Sequence, residues 1–385
     1  MRDKSAKLKT RVYRRGISYP LLFVILLLVC IGLVMVLSST YTGLLLKDKD
    51  SISLFQQQVI VAVAGVIFML VASKIDYHAY NSINVVRFAL LATVLALGAV
   101  FLFHARNGAH RWIEIGSFTI QPSEIAKFTM VIWLSYYLSK YKWWYKSLKS
   151  WAIAVAPVGL MAAMILAEPN LSTTLCFIAA ATVILFIAGM QKWLIGGVVG
   201  LGAGLILLMC TVTGYQSDRI VAWLHPWENM GDKSYQVVQS LFALGDGGLF
   251  GVGLGNSKQK IIHLPESDTD YIFSIISEEF GFIGAIVVLI LYGAFIYYGI
   301  KTAIEANDTY GSYLAAGITG VVAIQVLVNV GVVTNSIPST GVTLPFISRG
   351  ATSLGVFMAA MGILLSISAY GRRSKPTQKK EKLKR

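Results

Sequence analysis

The segment LPESDTDYIFSIISEEFGFIGAIVVLILYGAFIYYGI, residues 264–300, passes from an acidic stretch into an apolar run. The apolar part, residues 271–300, is longer than the roughly 20 residues that a helix needs to cross a bilayer. It still contains Glu278 and Glu279. A carboxylate inside the membrane costs at least about 2.5 kcal/mol unless it is paired or faces water. The segment therefore predicts a membrane helix that begins at an acidic boundary and contains functional acids.

Nine more apolar runs accompany this one. The chain has 385 residues, of which 56% are hydrophobic and only 14% are charged. Soluble domains carry about a quarter charged residues, so a water-soluble fold is excluded. The ten runs lie at residues 19–41, 56–73, 85–104, 123–141, 151–167, 172–190, 193–213, 271–300, 311–333 and 351–370. We predict an all-α polytopic membrane protein with ten transmembrane helices.

The net charge of +14 is concentrated in two terminal segments. Residues 1–16 and 371–385 hold nearly all of it and are predicted to be basic cytoplasmic tails around a single membrane domain, residues 17–370. If both termini are cytoplasmic, 23 of the 33 lysines and arginines, including those of the two tails, fall on the cytoplasmic side and nine on the other, in line with the positive-inside rule. The nearly neutral body and the lack of a base-stacking module argue against nucleic-acid binding.

The longest stretch without a span, residues 214–270, lies between the seventh and eighth helices and is predicted to be extracellular. Residues 234–244 place Val237, Val238, Leu241 and Phe242 at helical spacing, which predicts a helix in the membrane interface. The glycine-rich stretch DGGLFGVGLG follows, and we expect its glycines to provide tight turns and close backbone approach. We therefore expect function at the outer face.

Four polar segments at that face carry the candidate chemistry. In the acidic segment we expect Glu266 and Asp268 to be solvated, and Asp270 to be functional. In residues 107–128, Pro122 starts a helix that places Glu124 and Lys127 on one face, either as a structural ion pair or lining a polar cavity.

The same segment contains Arg111, which either anchors the chain at the interface or binds a phosphate. The third segment, AEPNLSTT (residues 167–174), is a break between two spans. The fourth, NSIPSTGVTLPFISRGATS (residues 335–353), predicts ordered non-helical backbone at membrane level. The three cysteines lie in apolar runs, and the five histidines have no metal-ligand spacing.

Together these motifs resemble the SEDS family (shape, elongation, division and sporulation), whose members FtsW, RodA and SpoVE polymerise peptidoglycan. The similarity rests on GAHRWI, QPSEIAK, YQVVQSLFALGDGGLFGVGLGNSKQK, LPESDTDYIF, EEFG and GVTLPFIS, and it extends over nearly the whole chain. The form GLGNSKQK favours the FtsW/SpoVE branch over RodA.

The resemblance implies a glycosyltransferase that polymerises lipid II and releases undecaprenyl pyrophosphate. The essential acid of the family matches Asp270, and its cavity-lining acid and base match Glu124 and Lys127. The chain departs from the family in two motifs. Asn170 stands where EPDxGT has Asp, and Arg349 stands where SYGGSS has Tyr.

For this reaction we expect Asp270 either to act as the base for the acceptor hydroxyl or to hold a divalent cation, Mg²⁺ or Mn²⁺. A positioned base typically raises the reaction rate by about 10²–10⁴-fold. The leaving pyrophosphate requires positive charge. Its candidate ligands are Arg111, Lys127, Arg219, Lys258, Lys260 and Arg349. We place Asn170 and Ser348 in the same substrate cavity.

The resemblance further implies a class B penicillin-binding protein as a transpeptidase partner. It implies a multi-pass protein of the bacterial cytoplasmic membrane, with the division septum as one expected location. Two alternatives are a lipid II flippase, which broken spans and intramembrane charges also fit, and an inactive scaffold that recruits the transpeptidase. The short cytoplasmic loops argue against the flippase, and we favour the polymerase.

Overall fold

The computed structural model describes residues 16–45, 49–103, 110–116, 118–141, 148–190, 196–197, 200, 204, 214–228, 230–231, 234–260, 264 and 267–370. Within these residues the chain forms eleven α-helices. They are α1 Tyr19–Leu45, α2 Lys49–Ala72, α3 Ile83–Ala99, α4 Pro122–Lys140, α5 Leu148–Ala167, α6 Leu171–Ile187, α7 Gly214–Leu224, α8 Tyr235–Asp246, α9 Ile272–Glu305, α10 Thr309–Val333 and α11 Ala351–Ala369.

Short elements join some of these helices. The 3-10 helices Tyr77–Tyr80 and Val100–Leu102 follow α2 and α3. An antiparallel hairpin of β1 Ile113–Ile115 and β2 Phe118–Ile120 precedes α4 and pairs Glu114 with Thr119. Apart from this hairpin, which the sequence analysis did not anticipate, the regular secondary structure of the described residues is helical, as predicted.

Nine of the ten predicted spans coincide with a helix, namely α1 to α6 and α9 to α11. The tenth, residues 193–213, lies almost entirely outside the described residues. Among the described helices, α1, α2, α3, α5, α9, α10 and α11 are long and apolar enough to cross a membrane. The apolar helix α6 has only 17 residues, and α4 contains both acidic and basic side chains. The fold is that of a multi-pass helical membrane protein, while the number of ten spans and their orientation stay predictions.

Helix α10 lies at the centre of the packing, against α4, α6 and α9, while α11 packs on α2. Asp308 starts α10 by accepting the Gly311 N–H at 3.2 Å through its side chain. Pro122 occupies the first turn of α4, where its missing N–H costs nothing. Helix α8 confirms the predicted helix, and its buried Val237 and Val238 face the protein.

Helix α9 is broken at Gly281, whose φ of +67° is accessible to glycine and strained for other residues. The glycine-rich stretch after α8 packs into this break. Val252 N–H donates to the Glu278 carbonyl at 2.9 Å, and Phe282 N–H donates to the Gly248 carbonyl at 2.9 Å. A Cβ on Gly251 would lie 2.1 Å from the Glu279 carbonyl oxygen. The expectation that these glycines allow close backbone approach is confirmed.

The segment between α10 and α11, residues 334–350, is non-helical, as predicted, and its residues 342–348 are mostly buried, whereas the last three residues of the predicted segment, 351–353, already belong to α11. Its Phe346 has a φ of +68°. A Cβ on Gly32 of α1 would lie 2.4 Å from the Phe346 carbonyl oxygen, so the absence of a side chain at Gly32 lets the loop approach α1. The Tyr292 hydroxyl of α9 donates to the Pro345 carbonyl. Because neighbouring helices supply these contacts, the loop satisfies the rule that irregular backbone at membrane depth must be enclosed by protein.

Candidate functional site

Asp270 lies where the start of α9, the C-terminal end of α10 and the last loop meet. The Asn329 side-chain amide of α10 donates to the Asp270 carbonyl at 2.8 Å and to the Val342 carbonyl at 2.8 Å. A Cβ on Gly341 would lie 3.3 Å from Asp270 Oδ2, so the carboxylate faces the bare backbone of the loop. Asp270 is half-buried, so part of its surface remains exposed.

The turn that carries Asp270 is bound to the last loop. Arg349 Nε lies 2.5 Å from Asp268 Oδ2, and its backbone N–H donates to the Asp268 carbonyl at 2.8 Å. Ser348 Oγ donates to the Thr269 carbonyl at 2.5 Å and accepts the Leu344 N–H at 2.7 Å. The expectation that Asp268 is a solvated loop residue is wrong, since it is in an ion pair. Glu266 lies outside the described residues.

Glu124 and Lys127 form a buried ion pair at the start of α4. Lys127 Nζ lies 2.7 Å from Glu124 Oε1 and 2.9 Å from Gln325 Oε1 of α10. Only 2% of the Lys127 side chain and 7% of the Glu124 side chain are exposed. Ser353 of α11 donates to Glu124 at 3.4 Å. Of the two alternatives, this geometry matches the structural ion pair.

Gln325 and Asn329 of α10 were missed by the sequence analysis. They lie four residues apart on one helical face, so one contacts the Lys127 pair and the other contacts the Asp270 turn. The signal was available, because two amides at this spacing interrupt an apolar span. Among the described residues, Asn329 Oδ1 is a buried acceptor without a hydrogen-bond partner.

The two acids inside α9 hold the segment between α8 and α9 in place. Glu278 accepts hydrogen bonds from the Ser257 hydroxyl and from the Lys258 N–H at 2.8 Å. Glu279 accepts one from Ser38 of α1 at 2.7 Å and pairs with Lys260 Nζ at 2.5 Å. The Lys260 side chain is only 1% exposed, and its ammonium is paired with the Glu279 carboxylate. Lys258, in contrast, is exposed.

The break between α5 and α6 brings Arg111 next to Glu168. Arg111 Nη2 donates to the Pro169 carbonyl at 2.5 Å, and its Nε donates to the Glu168 carbonyl at 3.4 Å. The Glu168 carboxylate is fully buried, and neither oxygen has a hydrogen-bond partner among the described residues. Burial raises the pKa of Glu168 to about 8, and the Arg111 charge opposes this shift. Asn170 caps α6 by accepting the Thr173 N–H at 3.4 Å.

A cavity of about 350 Å³ lies between α6, α7, α10 and the last loop. Its walls are mainly apolar, and Ser172, Arg219, Ser339 and Thr340 supply the polar groups. Arg219 Nη1 donates to the Ser339 carbonyl at 3.0 Å. Thr340 precedes Gly341, which faces Asp270, so the cavity borders the acidic turn. An apolar cavity with a few polar groups at one end is typical of a binding site for an amphipathic ligand.

Within the described part of the chain, no three His, Cys, Asp or Glu side chains are placed to hold a metal ion together. Asp268 is already paired with Arg349. Asp270 alone would supply side-chain carboxylate ligation in this turn. The donor set is therefore poorer in oxygen ligands than divalent cations prefer.

Known proteins share both the sequence and the fold. Residues 19–373 match the family FTSW_RODA_SPOVE, described as "Cell cycle protein". Stage V sporulation protein E of Bacillus subtilis is 39% identical over 362 residues, covering 91% of this chain and 97% of that protein. The probable peptidoglycan glycosyltransferase FtsW of Geobacter metallireducens is 37% identical over 348 residues, covering 89% and 92%.

Solved structures with similar folds share less of the sequence. A chain from a peptidoglycan synthase complex has a TM-score of 0.75 at 22% identity, covering 91% of this chain and 97% of that chain. The rod shape determining protein RodA of Thermus thermophilus has a TM-score of 0.66 at 22% identity, covering 91% and 96%. These similarities establish a common helical architecture.

Proposed function

The chain belongs to the FtsW, RodA and SpoVE family of cell cycle proteins, and from this premise we propose that it is a peptidoglycan glycosyltransferase. Two relatives named probable peptidoglycan glycosyltransferase FtsW align with 89% of this chain. The proposed reaction polymerises lipid II into glycan strands at the outer face of the cytoplasmic membrane and releases undecaprenyl pyrophosphate.

The position of Asp270 is the observation that carries the proposed chemistry. Its carboxylate faces Gly341, next to the cavity residue Thr340, and its turn is bound to the last loop. In the proposed step the acceptor sugar hydroxyl attacks C1 of the donor and transfers its proton to Asp270. The bond between C1 and the phosphate oxygen breaks, and the pyrophosphate leaves with the electron pair. A positioned base of this kind contributes about 10²–10⁴-fold.

Arg219 is our first choice for the cation that stabilises the leaving pyrophosphate. It lines the cavity, whose apolar walls suit a polyprenyl chain. Lys258 is the second choice, because its side chain is exposed. Lys260 and Arg349 each face a carboxylate partner, so we assign them to holding the structure. A fixed positive charge near the developing anion gives the larger electrostatic contribution to such a step.

The finer architecture belongs to the same proposal. It comprises ten spans with the two basic flanking segments in the cytoplasm, and an outer loop at about residues 214–270 that carries α7 and α8. A class B penicillin-binding protein is the proposed transpeptidase partner, in line with the similarity to a chain of a peptidoglycan synthase complex. The protein would work in the bacterial cytoplasmic membrane, with the division septum as one site.

Synthesis of glycan strands from fluorescent lipid II tests the proposed function. Purified wild type and Asp270→Asn would be compared with and without the cognate transpeptidase, each with Mg²⁺ or Mn²⁺ and with EDTA. We expect polymer from the wild type and none above background from Asp270→Asn. EDTA sensitivity would favour the alternative in which Asp270 holds a divalent cation.

The absence of polymer from a folded wild type with its partner would contradict the proposal. Transfer of lipid II across liposome membranes would then support a flippase. Stimulation of the transpeptidase alone would support a scaffold.

A further inference from the structure

Arg349 contacts the acidic turn in a way that its place in the motif does not suggest. It stands where the family pattern has Tyr. Here its guanidinium reaches both carboxylate oxygens of Asp268, with Nε 2.5 Å from Oδ2 and Nη2 3.3 Å from Oδ1. Its backbone N–H binds the Asp268 carbonyl at 2.8 Å. Three contacts between the same two residues fix both the side chain and the main chain of Asp268.

The neighbouring residues extend this attachment along the turn. Ser348 binds the Thr269 carbonyl at 2.5 Å, and Asn329 binds the Asp270 carbonyl at 2.8 Å. Three successive carbonyls of the turn, at residues 268, 269 and 270, are therefore held by groups outside it. The peptide groups on both sides of the Asp270 Cα are therefore hydrogen-bonded, and this fixes the direction in which the Asp270 side chain leaves the backbone.

The pair also sets the charge around Asp270. Asp268 and Asp270 lie two residues apart in one turn that is proposed to meet a pyrophosphate substrate. Arg349 neutralises Asp268, which lowers the repulsion between that turn and an anionic ligand. The side chains are 25% and 15% exposed, so solvent screens the pair only in part. The planar guanidinium donates a hydrogen bond through Nη2 and keeps Nε at ion-pair distance from the second oxygen, an arrangement that the single ammonium of a lysine cannot reproduce.

We propose that Arg349 is a positioning residue for glycan polymerisation, acting through Asp268 to orient Asp270, and that it does not bind the pyrophosphate. This inference rests on the proposed function, because it concerns the same reaction. A displacement of about 1 Å in a reacting group can lower the rate by about 10²-fold, so loss of the pair should affect turnover more than substrate binding.

The test measures kcat and KM for fluorescent lipid II in Arg349→Gln, Arg349→Lys, Asp268→Asn and the charge-exchanged double variant Asp268→Arg with Arg349→Asp. Lys301→Gln is the matched control, because it removes one exposed basic charge on α9 far from the turn. Each protein is checked for its melting temperature and its elution volume in detergent.

We expect Arg349→Gln and Asp268→Asn each to lower kcat by about 10- to 100-fold, with KM changed by about twofold or less. Arg349→Lys should retain part of the rate, and the charge-exchanged variant should recover part of what either single change loses. Arg349→Gln combined with Asp268→Asn should lose no more than one change alone, because both remove the same contact.

Two results would overturn the inference while the wild type still polymerises. One is a rise in KM for Arg349→Gln that Asp268→Asn does not share, as expected of a pyrophosphate ligand. The other is wild-type kcat in both single variants. A wild type that makes no polymer would overturn the proposed function, and with it this inference.

Discussion

The short first part of α9, residues 272–280, carries acids at both ends, and the two ends differ in their environment. Asp268 and Asp270 precede it in a half-buried turn that meets the last loop and borders the cavity. Glu278 and Glu279 close it and are buried against donors from α1 and from the segment between α8 and α9. In the proposed mechanism, carboxylates therefore serve chemistry at one end, whereas those at the other end attach a loop. The partners of a carboxylate, more than its depth in the membrane, decide between these roles.

The comparison predicts its largest effect for Asp270→Asn. The asparagine keeps the size of the side chain and cannot accept the proton, so kcat should fall by about 10²–10⁴-fold. The melting temperature should stay near that of the wild type, since the Asn329 contact is made by the backbone carbonyl. Polymerisation kinetics and thermal melting on the same preparation check both points. A variant that loses stability and activity together would assign Asp270 to the structural group instead.

Glu279→Ala should give the opposite pattern. It leaves the Lys260 ammonium buried without its carboxylate, a change that typically costs about 3–5 kcal/mol. We expect a large fall in melting temperature or loss of folded protein. Glu279→Ala with Lys260→Met should be closer to wild type, because the unpaired charge is removed with its partner. If the double variant is no more stable than Glu279→Ala, the ion pair with Lys260 is not the reason that Glu279 stabilises the fold.

The glycines at the break in α9, Gly251 and Gly281, predict a smaller loss of stability. In Gly251→Ala the new Cβ would lie 2.1 Å from the Glu279 carbonyl oxygen, at a φ of +82°. In Gly281→Ala it would lie 2.4 Å from Gly251 N. A left-handed conformation alone costs an L-residue about 1–2 kcal/mol, and the backbone must also move. Gly245→Ala is the control, because nothing lies within 4 Å of its Cβ position. Equal melting temperatures for all three variants would show that the glycine-rich stretch does not hold the break in α9.

The sequence was sufficient where local composition determines structure. Apolar length predicted nine helices correctly, and the resemblance selected Asp270. The partners of the acids could not be predicted, because they are distant in sequence. Glu279 meets Ser38 across 241 residues, and Arg349 meets Asp268 across 81. The sequence analysis treated Asp268 and Lys260 as isolated residues and so predicted that one was solvated and the other a pyrophosphate ligand. In the folded protein, Arg349 lies against Asp268, and Glu279 lies against Lys260.

Glu168 adds a third kind of acid, buried like Glu279 but without a hydrogen-bond donor among the described residues. Its pKa is raised to about 8 in the folded protein, from an ordinary value of 4.5. The unfolded chain releases this proton at a lower pH than the folded chain does. The contribution of Glu168 to stability therefore falls as pH rises from about 4.5 to about 8 and is level above that.

Glu168→Gln should remove this pH dependence, because the amide keeps the shape and carries no charge. We expect the variant and the wild type to melt alike near pH 5, and the variant to melt higher at pH 8.5 by on the order of a few degrees. Melting curves in detergent at five pH values between 5 and 8.5 measure this difference, with Glu114→Gln as the control because Glu114 is exposed. A wild type whose melting temperature tracks that of Glu168→Gln at every pH would mean that Glu168 is charged when folded. In that case Arg111, now bound to the Pro169 carbonyl, would have to supply its missing partner.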